Sequence, residues 1–176
     1  MSIFLAIETT TKNCSVALFK NNILIDSFEN ISEKYMHAER LTQFIVNLLN
    51  DNSISFNDIS ALILSKGPGS YTGLRIGTGT AKGMCYALDL PLISVSTLKA
   101  MAYSMAKSKE YDFYCPMINS RRSEFFSALY DVENNEIIST KSDEINIADY
   151  DVYNLRKVLF FGQDIDVLKA AINQKN

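Results

Sequence analysis

The sequence predicts an α/β protein of two related units, mixed sheets flanked by helices, with the second unit incomplete. Three observations predict it. Short, β-favouring apolar runs alternate with segments of helical period. A glycine-rich stretch, Gly67-Pro68-Gly69-Ser70-Tyr71-Thr72-Gly73-Leu74-Arg75-Ile76-Gly77, joins one such run to a helix. The hairpin pattern of the N-terminus also starts again near Tyr111. At a constant offset Ile7 falls on Ile118, Glu8 on Asn119, Thr9 on Ser120 and Ala17-Leu18 on Ala128-Leu129, which reads as a diverged internal duplication. The expected units are residues 1–108 and 109–176.

In the first unit, Ile3 to Ile7 and Cys14 to Phe19 are β-favouring runs around the polar turn Glu8-Thr9-Thr10-Thr11. Lys20-Asn21-Asn22 marks a second turn, and Ile23 through Phe28 a third strand. From Met36 the period changes. Leu41, Phe44, Ile45, Leu48 and Leu49 follow i, i+3, i+4, i+7, i+8, so residues 35–50 form an amphipathic helix. Ser55 and Asp58 suggest a short capped turn. Ala61-Leu62-Ile63-Leu64 is a buried strand, residues 72–88 a helix, Pro91 to Val95 a strand, and 97–108 a helix capped by Ser96 or Thr97.

The second unit repeats the theme. Tyr114 to Ile118 is a strand, Asn119 to Ser123 a polar turn, and Phe125 to Tyr130 a strand. A turn at Glu133-Asn134-Asn135-Glu136 leads to a strand at Ile137-Ile138. Val158 to Gly162 is a further strand and Ile165 to Ile172 a short helix, after which a full copy would need more chain.

Composition narrows the class. The chain has 176 residues, 47% hydrophobic and 21% charged, which is globular. No apolar run approaches the roughly 20 residues of a spanning helix, and no signal peptide is readable, so a cytoplasmic protein away from membranes is expected. Cys14, Cys85 and Cys115 are scattered in apolar segments and read as reduced core thiols. A net charge of −3 gives no basic field, so RNA, if involved, is expected to be held through a partner.

The glycine-rich stretch carries most of the chemistry. Glycines there allow unusual backbone angles, while Ser70 or Thr72 caps a helix start that offers free N–H donors to an anion. Glu8, Thr9, Thr10, Gly67, Gly69, Ser70, Thr72 and Arg75 are therefore the candidate loop and anion-binding residues. The spacing is not that of a Walker loop. In the helix that follows, Gly73, Gly77, Gly79 and Gly83 each cost about 1 kcal/mol against alanine. Glycines one turn apart create grooves, either for packing on the sheet or for a helix of a second chain. Arg75 fits a bidentate anion or a solvated surface equally. Arg121 and Arg122 either line a cleft or keep a turn soluble.

Ile7-Glu8-Thr9-Thr10, Cys14-Ser15-Val16-Ala17-Leu18 and the Gly67–Gly77 stretch closely resemble the bacterial TsaB family, also called YeaZ. Ile118 to Glu124 matches its second turn more loosely. The resemblance covers residue 3 to about 165. It implies a duplicated actin, Hsp70 and sugar-kinase-like (ribonuclease H-like) fold and a role in forming threonylcarbamoyladenosine in tRNA. Members of that family extend several dozen residues further, so it implies a truncated or short member. The transfer step there belongs to TsaD, a homologous partner, and TsaB is its non-catalytic scaffold and activator. A small ATPase, TsaE, docks on the pair, so any ATP or ADP belongs to the partner complex and no cofactor is assigned to this chain. TsaB meets TsaD, or itself when alone, through its first two long helices. The partner-interface residues expected here are His37, Leu41, Phe44, Gly73, Leu74, Gly77, Thr80, Ala81 and Met84.

Two other readings compete with this one. An ATP-dependent kinase or hydrolase would need a metal-bearing carboxylate pair, but Glu8 is matched in the second hairpin by Asn119, which is no general base. A peptidase of the kind once ascribed to the catalytic paralogue would need a second histidine four residues after His37. That position is Leu41. No catalytic residue and no metal site is therefore expected.

Overall fold

A computed structural model describes residues 2–31, 37–121, 124–144, 156–163 and 166. The chain divides into two compact units, Met1–Val95 and Ser96–Asn176.

In the first unit, β1 (Ile3–Glu8), β2 (Asn13–Lys20) and β3 (Ile23–Ile31) form an antiparallel meander. Two parallel strands, β4 (Ala61–Ser65) and β5 (Leu92–Val95), complete a sheet of order β3-β2-β1-β4-β5. Alternation in β1 and β2 sends Ile3, Leu5, Ile7, Cys14, Val16 and Leu18 to one buried face. Helix α1 (His37–Asp51) lays Leu41, Ile45, Leu48 and Leu49 into the same core, as its period requires. Phe44 stacks on Phe28, with ring centroids 6.1 Å apart. Residues 32–36, at the expected helix start, lie outside the described residues. The connection from α1 to β4 is the expected capped turn. Ser55 donates to the Asp58 carboxylate through both its amide and its hydroxyl, each at 2.8 Å, around a 3-10 turn at Phe56–Asp58. Helix α2 (Tyr71–Leu88) packs on the same sheet through Gly73, Gly77 and Ala81.

In the second unit, β6 (Phe113–Arg121), β7 (Glu124–Asp131), β8 (Glu136–Glu144) and β9 (Val158–Gly162) form a sheet of order β8-β7-β6-β9. Here β6 and β9 run parallel, as β1 and β4 do. The first four strands of each unit therefore repeat one arrangement, as the internal duplication read from the sequence predicts. Strand β6 is buried on both faces. Helix α3 (Thr97–Ala106) covers one, setting Leu98, Ala102 and Ala106 against Tyr114, Ile118, Ala128 and Tyr130. Phe113, Cys115, Met117, Phe125 and Leu129 make a separate cluster on the other.

Three details differ from the sequence reading. Helix α3 packs on β6 and β7 and belongs with the second unit, because its apolar face matches that sheet. The polar run Asn119–Arg121 is not a turn. It continues the ladder, with Asn119 opposite Phe125 and Arg121 opposite Glu124, because strand pairing uses backbone groups and tolerates exposed polar side chains. Finally, Ile7 pairs with Val16, but Ile118 pairs with Phe126 rather than Ser127, so the second hairpin is one residue shorter than a constant offset implies. Most of the helix expected over 165–172, and Arg122, lie outside the described residues. No helix among the described residues is long and apolar enough to cross a membrane.

Candidate functional site

The glycine-rich loop and the first hairpin turn meet at the carboxyl ends of β1 and β4, where they are stitched together. The Ser70 amide donates to the Thr10 carbonyl at 2.7 Å. The Thr9 hydroxyl, buried, donates to the Gly73 carbonyl at 2.8 Å. Two glycines make this approach feasible. A Cβ at Gly69 would run into the Thr10 carbonyl, and one at Gly77 into the Thr9 hydroxyl. Gly67 leaves β4 with a positive φ of 101° and lies against Leu74.

Helix α2 starts as expected. The Ser70 hydroxyl accepts from the Gly73 amide at 3.2 Å, and its carbonyl from the Leu74 amide at 2.8 Å. Thr72 therefore is not the cap and points outward, exposed. The Glu8 carboxylate accepts from both the amide and the hydroxyl of Thr10. It organises its own turn, and that use accounts for a carboxylate at this place. Beside it, burial pushes the Cys14 thiol above its ordinary pKa, with the Arg40 charge opposing and Glu8 adding to the effect. Such a thiol is a weak nucleophile. Thr9 and Thr10 are both buried, so their hydroxyls serve the junction rather than a ligand. No group of three His, Cys, Asp or Glu that could hold a metal occurs among the described residues.

Arg75 faces solvent from the first turn of α2, its guanidinium 5.5 Å from the centre of the Tyr71 ring. Tyr71, Thr72, Arg75 and Ile76 line a shallow cavity of about 330 Å³. Arg121 is exposed at the end of β6.

The partner-interface residues need correction. Leu41, Gly73, Gly77 and Ala81 are buried in the core of their own unit and present nothing to a second chain. Gly73 and Gly77 are there for internal packing. Phe44, Leu74, Thr80 and Met84 are half-buried, and Met84 rests on that core. His37 begins α1, but its side chain lies outside the described residues. The open glycines are the other pair. Gly79 and Gly83 have nothing within 4 Å of a Cβ position. They share the outer face of α2 with Arg75, Lys82 and Tyr86, whose side chain is 93% exposed. Helical geometry held the distinction: residues 77 and 79 stand roughly 200° apart around the axis. The exposure of Tyr71 and Tyr86 escapes a sequence reading because aromatics within a helix read as core.

Known proteins match both chain and fold. The family model described as TsaD, tRNA N6-adenosine threonylcarbamoyltransferase, matches residues 31–172. The tRNA threonylcarbamoyladenosine biosynthesis protein TsaB of Bacillus subtilis is 32% identical over 173 residues, 96% of this chain and 74% of that one. Its counterpart in Escherichia coli is 36% identical over 133 residues, 76% of this chain and 57% of that one. Against the Haemophilus influenzae protein the match covers 51% of that protein's length. Among solved structures, YeaZ from Pseudomonas aeruginosa aligns with a TM-score of 0.72 at 27% identity, covering 82% of this chain and 68% of that one. The glycine-rich junction, the repeated sheet and these matches lead to one assignment: the chain belongs to the TsaB (YeaZ) family.

Proposed function

We propose that this protein is a non-catalytic scaffold and activator in tRNA threonylcarbamoyladenosine formation in the cytoplasm, the partner subunit of a TsaD-type transferase. The names of its relatives support the process. One observation supports the scaffold role: the outer face of α2, where Gly79 and Gly83 leave an open groove beside an almost fully exposed Tyr86. Helix glycines are unfavourable unless packing uses them, and nothing among the described residues fills that groove. A partner helix could approach there to backbone distance. The loop–turn junction complements this reading, because its hydroxyls and its carboxylate are spent on each other. Any ATP or ADP and a TsaE-type ATPase belong to the assembled complex, and a lone chain would pair with itself through the same groove.

The test is light scattering behind gel filtration of the chain mixed with its cognate TsaD-type transferase. A one-to-one complex is expected, and Gly79→Leu with Gly83→Leu should abolish it without lowering the circular dichroism melting temperature of the chain alone. Assembly as strong with the leucines as without them would remove the groove from the interface. No complex with the native chain would remove the reading.

A further inference from the structure

We infer that the exposed face of α3 is a direct docking surface for RNA, phosphates meeting its lysines and a base stacking on Tyr103. The inference rests on the tRNA-modification reading above and adds to it an interaction made by this chain itself. The net charge of −3 hides a local reversal. Between Asp89 and Glu110 the chain holds Lys99, Lys107 and Lys109 and no acidic residue. Lys99 and Tyr103 on α3 and Lys107 at its C-cap recur at i, i+4 and i+8, and all three are exposed, about 100° round the helix from the buried stripe of Leu98, Ala102 and Ala106. None of the three lysines is ion-paired among the described residues.

Helix stability does not account for this pattern. A lysine after the last turn suits the helix dipole, so Lys107 needs no further reason. Lys99 sits in the first turn, where positive charge is unfavourable, and no acidic residue balances it there. Tyr103 is 58% exposed, with the Lys107 ammonium 5.2 Å from the centre of its ring. Packing therefore explains neither residue. A solvent-exposed ring with a cation over its face joins the aromatic and cationic parts of the platforms that hold single-stranded bases.

Charge chemistry selects the partner. Lysine is a point charge suited to phosphates, whereas planar, paired recognition of carboxylates favours arginine, which this face lacks. A membrane-surface helix needs a free apolar face, and that of α3 is buried against β6 and β7. Lys99 and Lys107 stand about 12 Å apart at 1.5 Å per residue. That length spans about three phosphates at a rise of roughly 3.4 Å along one strand.

The test is fluorescence anisotropy of the full chain with a labelled tRNA anticodon stem–loop, between about 50 and 200 mM salt. The native chain should bind with a salt-dependent affinity. Lys99→Ala with Lys107→Ala should lower the log–log salt slope by about 1.4, two phosphates at roughly 0.7 each for single strands. Tyr103→Ala should weaken binding roughly tenfold or more at every salt concentration. Lys99→Arg with Lys107→Arg should keep the slope. No binding by the native chain, or a slope unmoved by the alanines, overturns the inference. So does displacement of the hairpin by polyglutamate at equal charge, which would point to an acidic protein partner. The same variants are mixed with the TsaD-type transferase. Weakened RNA binding by variants that still form the complex is the expected result. A native chain that binds RNA but never joins the transferase refutes the scaffold reading while leaving the role of α3 established.

Discussion

The Thr9 hydroxyl has two neighbours that fix its place: the Gly73 carbonyl it donates to, and the hydrogen of Gly77 that lets it fit. Gly77→Ala is therefore expected to be unfavourable, against the usual sign for glycine to alanine in a helix. Helix propensity would favour alanine by about 1 kcal/mol. The new methyl group meets a buried hydroxyl that is already bonded and has no room to move, and overpacking of that kind costs about 1–3 kcal/mol. Urea denaturation should show a lower midpoint at an unchanged slope. A higher midpoint would mean the turn shifts freely. Asp58 supplies a pH-dependent counterpart. The amide and hydroxyl of Ser55 hold its carboxyl below the ordinary value, against a small desolvation effect. The unfolded chain then binds the proton more readily than the folded one. The stabilisation is present above the ordinary carboxylate pKa of about 3.9 and is lost as pH falls through the lower folded value. Asp58→Asn should accordingly lower the denaturation midpoint near neutral pH and make little difference at about pH 2. An equal effect at both would exclude the charge as the cause.

At the scale of elements, α2 carries glycines on two opposed faces for different reasons. Both pairs stand out in the sequence as anomalies. Their separation needs only the helical angle, but which face the sheet covers depends on how Thr9 and Leu64 reach into the helix. Gly79→Ala with Gly83→Ala should stabilise the isolated chain by about 1–2 kcal/mol, since each removes a propensity cost and meets no neighbour. A thermal or urea midpoint that falls instead would show that these positions are not open. Helix α1 is easier to read, because Leu41, Ile45, Leu48 and Leu49 repeat every three or four residues and all four are buried. Strand β6 is the hardest. Its polar end, Asn119 to Arg121, looks like a turn by composition, and backbone pairing with β7 is invisible to composition.

For the whole molecule, the repeated strand order is legible because the paired apolar runs of the first hairpin recur in the second at nearly the same spacing. The boundary between the units is not, since α3 is apolar enough to suit either sheet and only its docking on Tyr114, Ile118 and Tyr130 decides. The first unit has its own core, centred on Leu5, Leu18, Leu48 and Leu62. Leu62→Ala in that core should cost about 2–5 kcal/mol. Hydrogen exchange should then accelerate in β1, β2 and β4 while β6 and β7 keep their protection. Equal acceleration everywhere would show that the two units open as one.

The outward glycines of α2 also bear on how such a helix changes over generations. If folding alone were selected, positions 79 and 83 would drift to alanine at once, because that change is easy and helps the helix. Their persistence would record a demand set by another molecule, and a lineage that lost the partner should be the first to fill the groove.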